Sequence, residues 1–150
     1  MRLPRRSPAA AALLTLALAL GACGDALSED ELRTQATAIC VRAAAATDRI
    51  AVPARPSEGG AFLAEGVEQL RAAVRQLQAL KAPDELRERY DRAVELAAEE
   101  VALIARHERA IADGDDVIAT FRRLDAELEP LIRQQDAYWR GLGIPACVRR

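Results

Sequence analysis

Apolar side chains recur at alternating steps of three and four residues through most of the chain after residue 28. This spacing places them on one face of an α-helix, whereas a half-buried strand would need alternation at every second residue. Stretches rich in Pro, Gly or Asp interrupt the pattern at residues 52–60, 81–83 and 113–116. The pattern therefore predicts an all-α domain of four amphipathic helices, each of roughly 22 to 30 residues, joined by short connections. Short connections favour an up-down-up-down four-helix bundle.

The predicted core residues share this spacing within each of the four segments. In chain order they are Leu32, Ala36, Ile39, Ala43, Ala46 and Ile50; Leu63, Val67, Leu70, Val74 and Leu77; Leu86, Tyr90, Val94, Ala97, Val101, Ile104 and Ile111; and Val117, Phe121, Leu124, Leu128, Leu131 or Ile132, and Trp139. Many of these positions are alanine, which buries much less apolar surface than leucine does. We therefore expect a thin core that is only modestly stable from packing alone.

Local signals mark where the predicted helices begin and end. Ser28, followed three residues later by Glu31, forms a capping box at the start of the first helix. Residues 113–116 (Asp-Gly-Asp-Asp) predict a turn that ends the third helix and caps the fourth, rather than a calcium loop, because the EF-hand spacing does not fit. Pro130 should kink the fourth helix, and Gly141 is the expected glycine at its C-terminus.

The first 22 residues have the character of an export signal. Arg2, Arg5 and Arg6 precede a run of twelve residues, 9–20, in which Thr15 is the only polar side chain. As a helix this run would span roughly 18 Å, which is too short to cross a hydrocarbon core of about 30 Å. It fits the apolar region of a cleavable signal peptide.

The sequence Leu20-Gly21-Ala22-Cys23 resembles the lipobox of bacterial lipoprotein signal peptides. The resemblance implies that a signal peptidase recognises Leu20, Gly21 and Ala22, that the chain is cut after residue 22, and that Cys23 carries a diacylglyceryl group. Two or more acyl chains anchor a protein stably. The alternative is an ordinary secretory leader with an incidental cysteine. The predicted organisation is a signal peptide at 1–22, a lipidated cysteine and short tether at 23–27, and a helical domain at 28–150.

Two cysteines remain after Cys23, and an even remainder in an exported domain favours a disulfide. Antiparallel packing would bring the end of the fourth helix near the first, so the C-terminal tail could carry Cys147 back to Cys40. We therefore expect the tail to be stapled to the first helix by a Cys40–Cys147 bond. Two unpaired thiols are the alternative.

The sequence contains few combinations of residues that are typical of catalytic or metal-binding sites. The single histidine, His107, lacks the Glu-x-x-His spacing of di-iron bundles and is expected at the surface, as are Glu99 and Glu100. Without the leader the chain has 18 basic and 23 acidic side chains, and it has few aromatics, which argues against nucleic-acid binding. We expect no catalytic residue, metal or cofactor.

The whole chain is similar to small lipoproteins of high-GC actinobacteria, which share a lipobox, a helical domain of this size and a Gly-Leu-x-x-x-Cys-like ending, here residues 141–147. The resemblance implies a location and a fold but no activity. We expect a non-enzymatic module anchored by lipid on the extracytoplasmic face of the cell membrane, or of the outer membrane in a cell with two. Its role would be to bind an envelope protein or to support the envelope. The alternative is a small-ligand carrier or sensor with a pocket near Tyr90 and Trp139, and an envelope hydrolase is a third hypothesis.

Overall fold

The computed structural model describes residues 26–148, so the predicted signal peptide, its recognition residues Leu20, Gly21 and Ala22, and the lipidation site Cys23 lie outside the described residues. The described chain forms four helices: α1 (Glu29–Thr47), α2 (Gly59–Gln78), α3 (Asp84–Ala112) and α4 (Val117–Gly141). Two single 3-10 turns, Pro56–Glu58 and Pro145–Cys147, precede α2 and follow α4. The predicted all-α four-helix fold is confirmed. None of these helices is long and apolar enough to cross a membrane.

The start of α1 follows the predicted capping box. The Ser28 hydroxyl accepts a hydrogen bond from the backbone N–H of Glu31 at 3.3 Å, and the Glu31 carboxylate accepts one from the backbone N–H of Ser28 at 2.9 Å. These two bonds satisfy donors that have no partner within the helix. Hydrogen bonds from Ser28 hold the pKa of Glu31 below its ordinary value. Because α1 ends at Thr47, it has 19 residues and is shorter than expected.

The helices pack in chain order, and α3 lies in the middle. Both α2 and α4 pack extensively along α3, whereas α1 packs on α2 and on the C-terminal 3-10 turn and makes little contact with α4. A helix with neighbours on two sides buries more than one stripe of side chains. This explains the buried α3 residues that the single-face pattern omitted, namely Ala93, Leu96, Glu100, Leu103, Ala105 and His107.

The apolar interior is divided into two clusters. The first surrounds Trp139 and Tyr90, whose rings meet edge to face with centroids 6.0 Å apart, and includes Leu32, Ile39 and Ile144. The second lies between the other ends of α2, α3 and α4, and is made of Leu63, Val67, Ala97, Val101, Ile104 and Leu124 with their neighbours. Both clusters contain several alanines, as the sequence predicts.

The ends of α3 and α4 use the same glycine motif. At the end of α4, Gly143 has φ +73°, its N–H donates to the carbonyl of Arg140, and the N–H of Ile144 donates to the carbonyl of Trp139. Gly114, with φ +105°, ends α3 with the equivalent pair of bonds. These are Schellman motifs. The prediction of Gly141 as the terminating glycine is wrong by two residues, because Gly141 is the last helical residue and Gly143 adopts the left-handed conformation.

The C-terminal tail folds back across the bundle to α1. Leu142 and Ile144 are fully buried, and the guanidinium of Arg33 donates to the carbonyl of Leu142 at 3.0 Å. Cys147 forms a disulfide with Cys40, with their Cα atoms 5.1 Å apart. The predicted staple between the tail and the first helix is confirmed. Helix α4 continues through Pro130, and the kink expected there stays a prediction.

Candidate functional site: a cavity between the helices

A cavity of about 520 Å³ lies between α1 and α4, with walls from all four helices and the C-terminal tail. It is placed where α1 and α4 do not pack closely, and its α1 wall includes the consecutive alanines Ala43, Ala44 and Ala45. Ala73 of α2 and Ala97 of α3 also line it. These short side chains leave space that larger residues would fill. The volume lies within the range of roughly 300–1,000 Å³ typical of small-molecule sites.

The wall of this cavity contains two buried polar side chains, Glu100 of α3 and Gln135 of α4, which are 5% and 4% exposed. With the Gln135 amide oriented so that both of its polar atoms are satisfied, Nε2 donates to Glu100 Oε2 at 3.0 Å and the amide oxygen accepts from the Ala97 N–H at 3.1 Å. The remaining wall is largely apolar, with Leu70 and Val74 of α2 among its residues. The cavity thus combines an apolar surface with one buried hydrogen-bonded carboxylate.

The expectation that Glu99 and Glu100 both face solvent is wrong for Glu100. Glu99 is exposed and accepts a hydrogen bond from Arg92 at 3.1 Å, as expected of a surface carboxylate. Glu100 points instead towards α4, because α3 is covered on both sides. Its spacing from Ala93, Ala97 and Ile104 places it on the buried stripe, so the signal for its burial was present in the sequence.

Two acidic residues occur among the described residues of the cavity wall. Among the described residues that line it, Asp48 and Glu100 carry ionisable carboxyl groups, and Lys, Arg and His do not occur. Asp48 is exposed, next to the C-terminal end of α1, and Val41, also in the wall, is an exposed apolar side chain. The described part of the wall therefore combines two carboxyl groups with apolar surface.

The two aromatic residues predicted near a pocket touch each other but line different spaces. Trp139 is 1% exposed and lines the cavity between α1 and α4. Tyr90 lines a second, more open depression of about 500 Å³ on α2 and α3. The Tyr90 hydroxyl donates to the carbonyl of Leu77 at 2.8 Å, and burial raises the pKa of this phenol. Tyr90 therefore has a structural hydrogen bond, and Trp139 is the aromatic residue beside the larger cavity.

The disulfide also belongs to the cavity wall. Cys40, Cys147 and Val148 line the cavity on the side where the tail crosses α1. The bond holds the tail against α1 and thereby fixes one edge of the space. A cavity whose edge is covalently fixed needs less ordering when a ligand binds.

The expectation that His107 lies at the surface is wrong, because it is only 6% exposed between α3 and α4. Its Nε2 atom lies 3.4 Å from a carboxylate oxygen of Glu127 but makes no hydrogen bond of good geometry. Desolvation raises the pKa of Glu127, but the hydrogen bond from Arg106 and the electrostatic attraction of His107 and Arg106 outweigh that effect, and the net pKa is below the ordinary value. Within residues 26–148, no cluster of three His, Cys, Asp or Glu side chains could hold a metal ion.

In comparisons with known proteins, no family model, no curated protein and no solved structure matches the chain. The geometry of the cavity is therefore the basis for any inference about function.

Proposed function

We propose that this protein is a lipid-anchored module that binds a small ligand on the extracytoplasmic face of a membrane without catalysing a reaction. The cavity between α1 and α4 carries the ligand-binding part of the proposal. Its volume suits a small organic molecule, and its apolar wall includes few polar groups, with Glu100 and Gln135 buried together. This combination is typical of binding sites that orient a ligand through a small number of polar contacts.

The lipid anchor is supported by the sequence at residues 20–23 and by the short connection to the folded domain. The N–H of Leu27 donates to the carbonyl of Lys81 at 2.8 Å, and the Leu27 side chain packs on the first apolar cluster. Three residues, 24–26, would then connect Cys23 to the domain, and they reach roughly 10 Å when extended. A lipidated Cys23 would therefore hold the bundle close to the membrane surface.

The ligand-binding proposal can be tested with an uncharged fluorescent probe, N-phenyl-1-naphthylamine. The chain from Gly24 onwards contains both apolar clusters, all four helices and the disulfide, and its cooperative unfolding is verified first. Trp139 is the only tryptophan, so energy transfer from it reports a probe bound nearby. We expect saturable binding of the probe with quenching of Trp139 emission.

Matched variants on α1 separate the cavity from non-specific binding. Ala44 is exposed and lines the cavity, whereas Ala38 is exposed on the same helix and does not line it. Ala44→Phe should obstruct the cavity and weaken probe binding about tenfold, equivalent to about 1.4 kcal/mol. Ala38→Phe should leave binding unchanged. An absence of saturable binding to the unaltered protein, or the same effect from both variants, would refute the proposal.

A further inference from the structure

The cavity between α1 and α4 is elongated along the bundle. Its α1 wall extends from Cys40 to Asp48 and its α2 wall from Leu70 to Leu77, whereas α3 and α4 contribute shorter stretches. At about 1.5 Å per residue, the stretch of α1 corresponds to roughly 12 Å. An extended alkyl chain of about ten carbons has a similar length, because C–C bonds of about 1.5 Å in a zigzag advance the chain by roughly 1.3 Å each. The cavity is therefore long enough to hold a linear chain of this size.

Two contacts establish how the walls of the cavity run relative to one another. The N–H of Leu27 donates to the carbonyl of Lys81 at 2.8 Å, which places the end of α2 beside the beginning of α1. The guanidinium of Arg33 donates to the carbonyl of Leu142 at 3.0 Å, which places the end of α4 there as well. Residues near the ends of α2 and α4 therefore lie opposite the C-terminal end of α1 along the length of the cavity.

The two ends of the cavity differ in polarity as a result. Thr47 and Asp48, at the C-terminal end of α1, line one end, and Asp48 is exposed. Leu77 of α2 and Trp139 of α4 line the other end and are 4% and 1% exposed. An elongated ligand thus finds water and polar side chains at one end and a buried apolar surface at the other.

We infer that the cavity holds the linear alkyl chain of a single-chain lipid, with the terminal methyl group near Trp139 and the polar head near Thr47 and Asp48. This inference rests on the proposed function, that the cavity binds a small ligand, and it names the class of that ligand. The chain would lie along apolar side chains of the wall such as Leu70 and Val74. Each methylene group that is removed from water favours binding by a factor of about four.

Displacement of bound N-phenyl-1-naphthylamine by linear alcohols measures how long a chain the cavity accepts. The unaltered protein is titrated with 1-hexanol, 1-octanol, 1-decanol and 1-dodecanol. We expect the affinity to rise about fourfold per methylene up to about ten carbons and then to level off, because a longer chain would extend beyond the cavity. The isomer 4-propylheptan-4-ol has the same atoms as 1-decanol in three short branches, and it should bind about tenfold more weakly.

Heavy-atom quenching of Trp139, the only tryptophan, tests the orientation of the chain. The first ligand, 10-bromodecan-1-ol, carries its bromine on the terminal carbon, and the second, 2-bromodecan-1-ol, carries it beside the hydroxyl group. Bromine quenches indole fluorescence only at short range. At saturation, the first ligand should therefore quench most of the Trp139 emission, and the second should leave most of it.

A lysophospholipid with the same chain length tests whether a large polar head is accepted. In 1-decanoyl-sn-glycero-3-phosphocholine the head should remain in water at the exposed end of the cavity, beside Asp48. We expect it to displace the probe with an affinity within about tenfold of that of 1-decanol.

Matched variants on α1 assign the length limit to the cavity. Ala43 is partly buried in the α1 wall, whereas Ala38 is exposed on the same helix and does not line the cavity. Ala43→Leu should shorten the available space, so that the affinity levels off at a shorter alcohol. Ala38→Leu should leave the levelling-off point unchanged. Circular dichroism verifies that both variants are folded, and the experiments on the unaltered protein need neither of them.

The outcomes separate this inference from the proposed function. If the unaltered protein does not bind the probe, the proposed function fails and the inference fails with it. If the probe binds but the branched alcohol displaces it as well as 1-decanol does, the ligand-binding cavity stands and the linear chain is refuted. Equal quenching of Trp139 by the two bromoalcohols would refute the orientation. Failure of the lysophospholipid to displace the probe would refute the assignment to a lipid.

Discussion

Removal of the Cys40–Cys147 disulfide should cost the protein a large part of its stability. The two cysteines are 107 residues apart, so in the unfolded oxidised chain the bond closes most of the domain into a single loop. In the chain-entropy treatment, a loop of this length lowers the entropy of the unfolded state by about 16 cal/mol/K, which corresponds to about 4.8 kcal/mol at 25 °C. The total free energy of unfolding of a single domain is commonly about 5–15 kcal/mol.

The folded state should change little when the bond is removed, because the tail has other contacts. Leu142 and Ile144 remain buried without the bond, and Arg33 still donates to the carbonyl of Leu142. The effect therefore falls mainly on the unfolded state, which becomes more expanded. A more expanded unfolded state exposes more surface and increases the dependence of the free energy on denaturant.

Urea unfolding of the oxidised protein and of the Cys40→Ala/Cys147→Ala double variant, followed by circular dichroism, measures both effects. We expect the variant to lose about 3–5 kcal/mol of unfolding free energy and to show a larger m-value. Dithiothreitol should bring the unaltered protein to the same values and should not affect the double variant. A loss below about 1 kcal/mol, or an unchanged m-value, would refute the argument from loop closure.

Three further predictions concern single positions in the bundle. Gly66→Ala should stabilise the domain by about 0.5–1 kcal/mol, because Gly66 is inside α2 with open space beside it. Gly59→Ala should destabilise the domain, because the new Cβ would lie 2.7 and 2.9 Å from side chains of α4. Thermal unfolding gives the sign of each change. Burial raises the pKa of Tyr90, so its contribution to stability is complete below the ordinary pKa of 10.0 and is lost as the pH rises above it. In the Tyr90→Phe variant, Tm should therefore decrease less between about pH 9 and 11 than it does in the unaltered protein. Hydrogen bonds from Ser28 lower the pKa of Glu31 from 4.5, so the capping box stabilises the protein above that pH and loses its effect as the pH falls through the lowered value. Ser28→Ala should therefore make Tm fall less steeply as the pH is lowered through this range. An unchanged dependence of Tm on acidic pH would contradict this prediction.

Most of the fold followed from local rules that the sequence obeys. The capping box at Ser28 and the turn between α3 and α4 depend on neighbouring residues, so their side-chain chemistry identifies them without knowledge of the tertiary structure. The disulfide required one additional inference, that antiparallel helices bring Cys147 near Cys40. The predicted position of the glycine that ends α4 was wrong by two residues. Either Gly141 or Gly143 satisfies the local pattern, and the burial of Leu142 favours Gly143.

The candidate site was harder to predict, because it depends on which pairs of helices do not pack closely against each other. The sequence predicts an apolar stripe on each helix, but the cavity depends on the sparse contact between α1 and α4, where the alanines of α1 and the tail that crosses it form part of the wall. Glu100 and His107 were expected at the surface because of their polarity. Both occur at three- and four-residue steps from buried neighbours on α3, and on a helix covered on two sides that spacing is a better guide than polarity.

The location of the protein underlies the whole proposal, and the intact mass of the chain recovered from membranes of expressing cells tests it most directly. We predict that residues 1–22 are absent, that Cys23 carries at least a diacylglyceryl group, and that the remaining two cysteines have lost two hydrogens to their disulfide. A mass that includes residue 1, or an unmodified sulfur at Cys23, would contradict it.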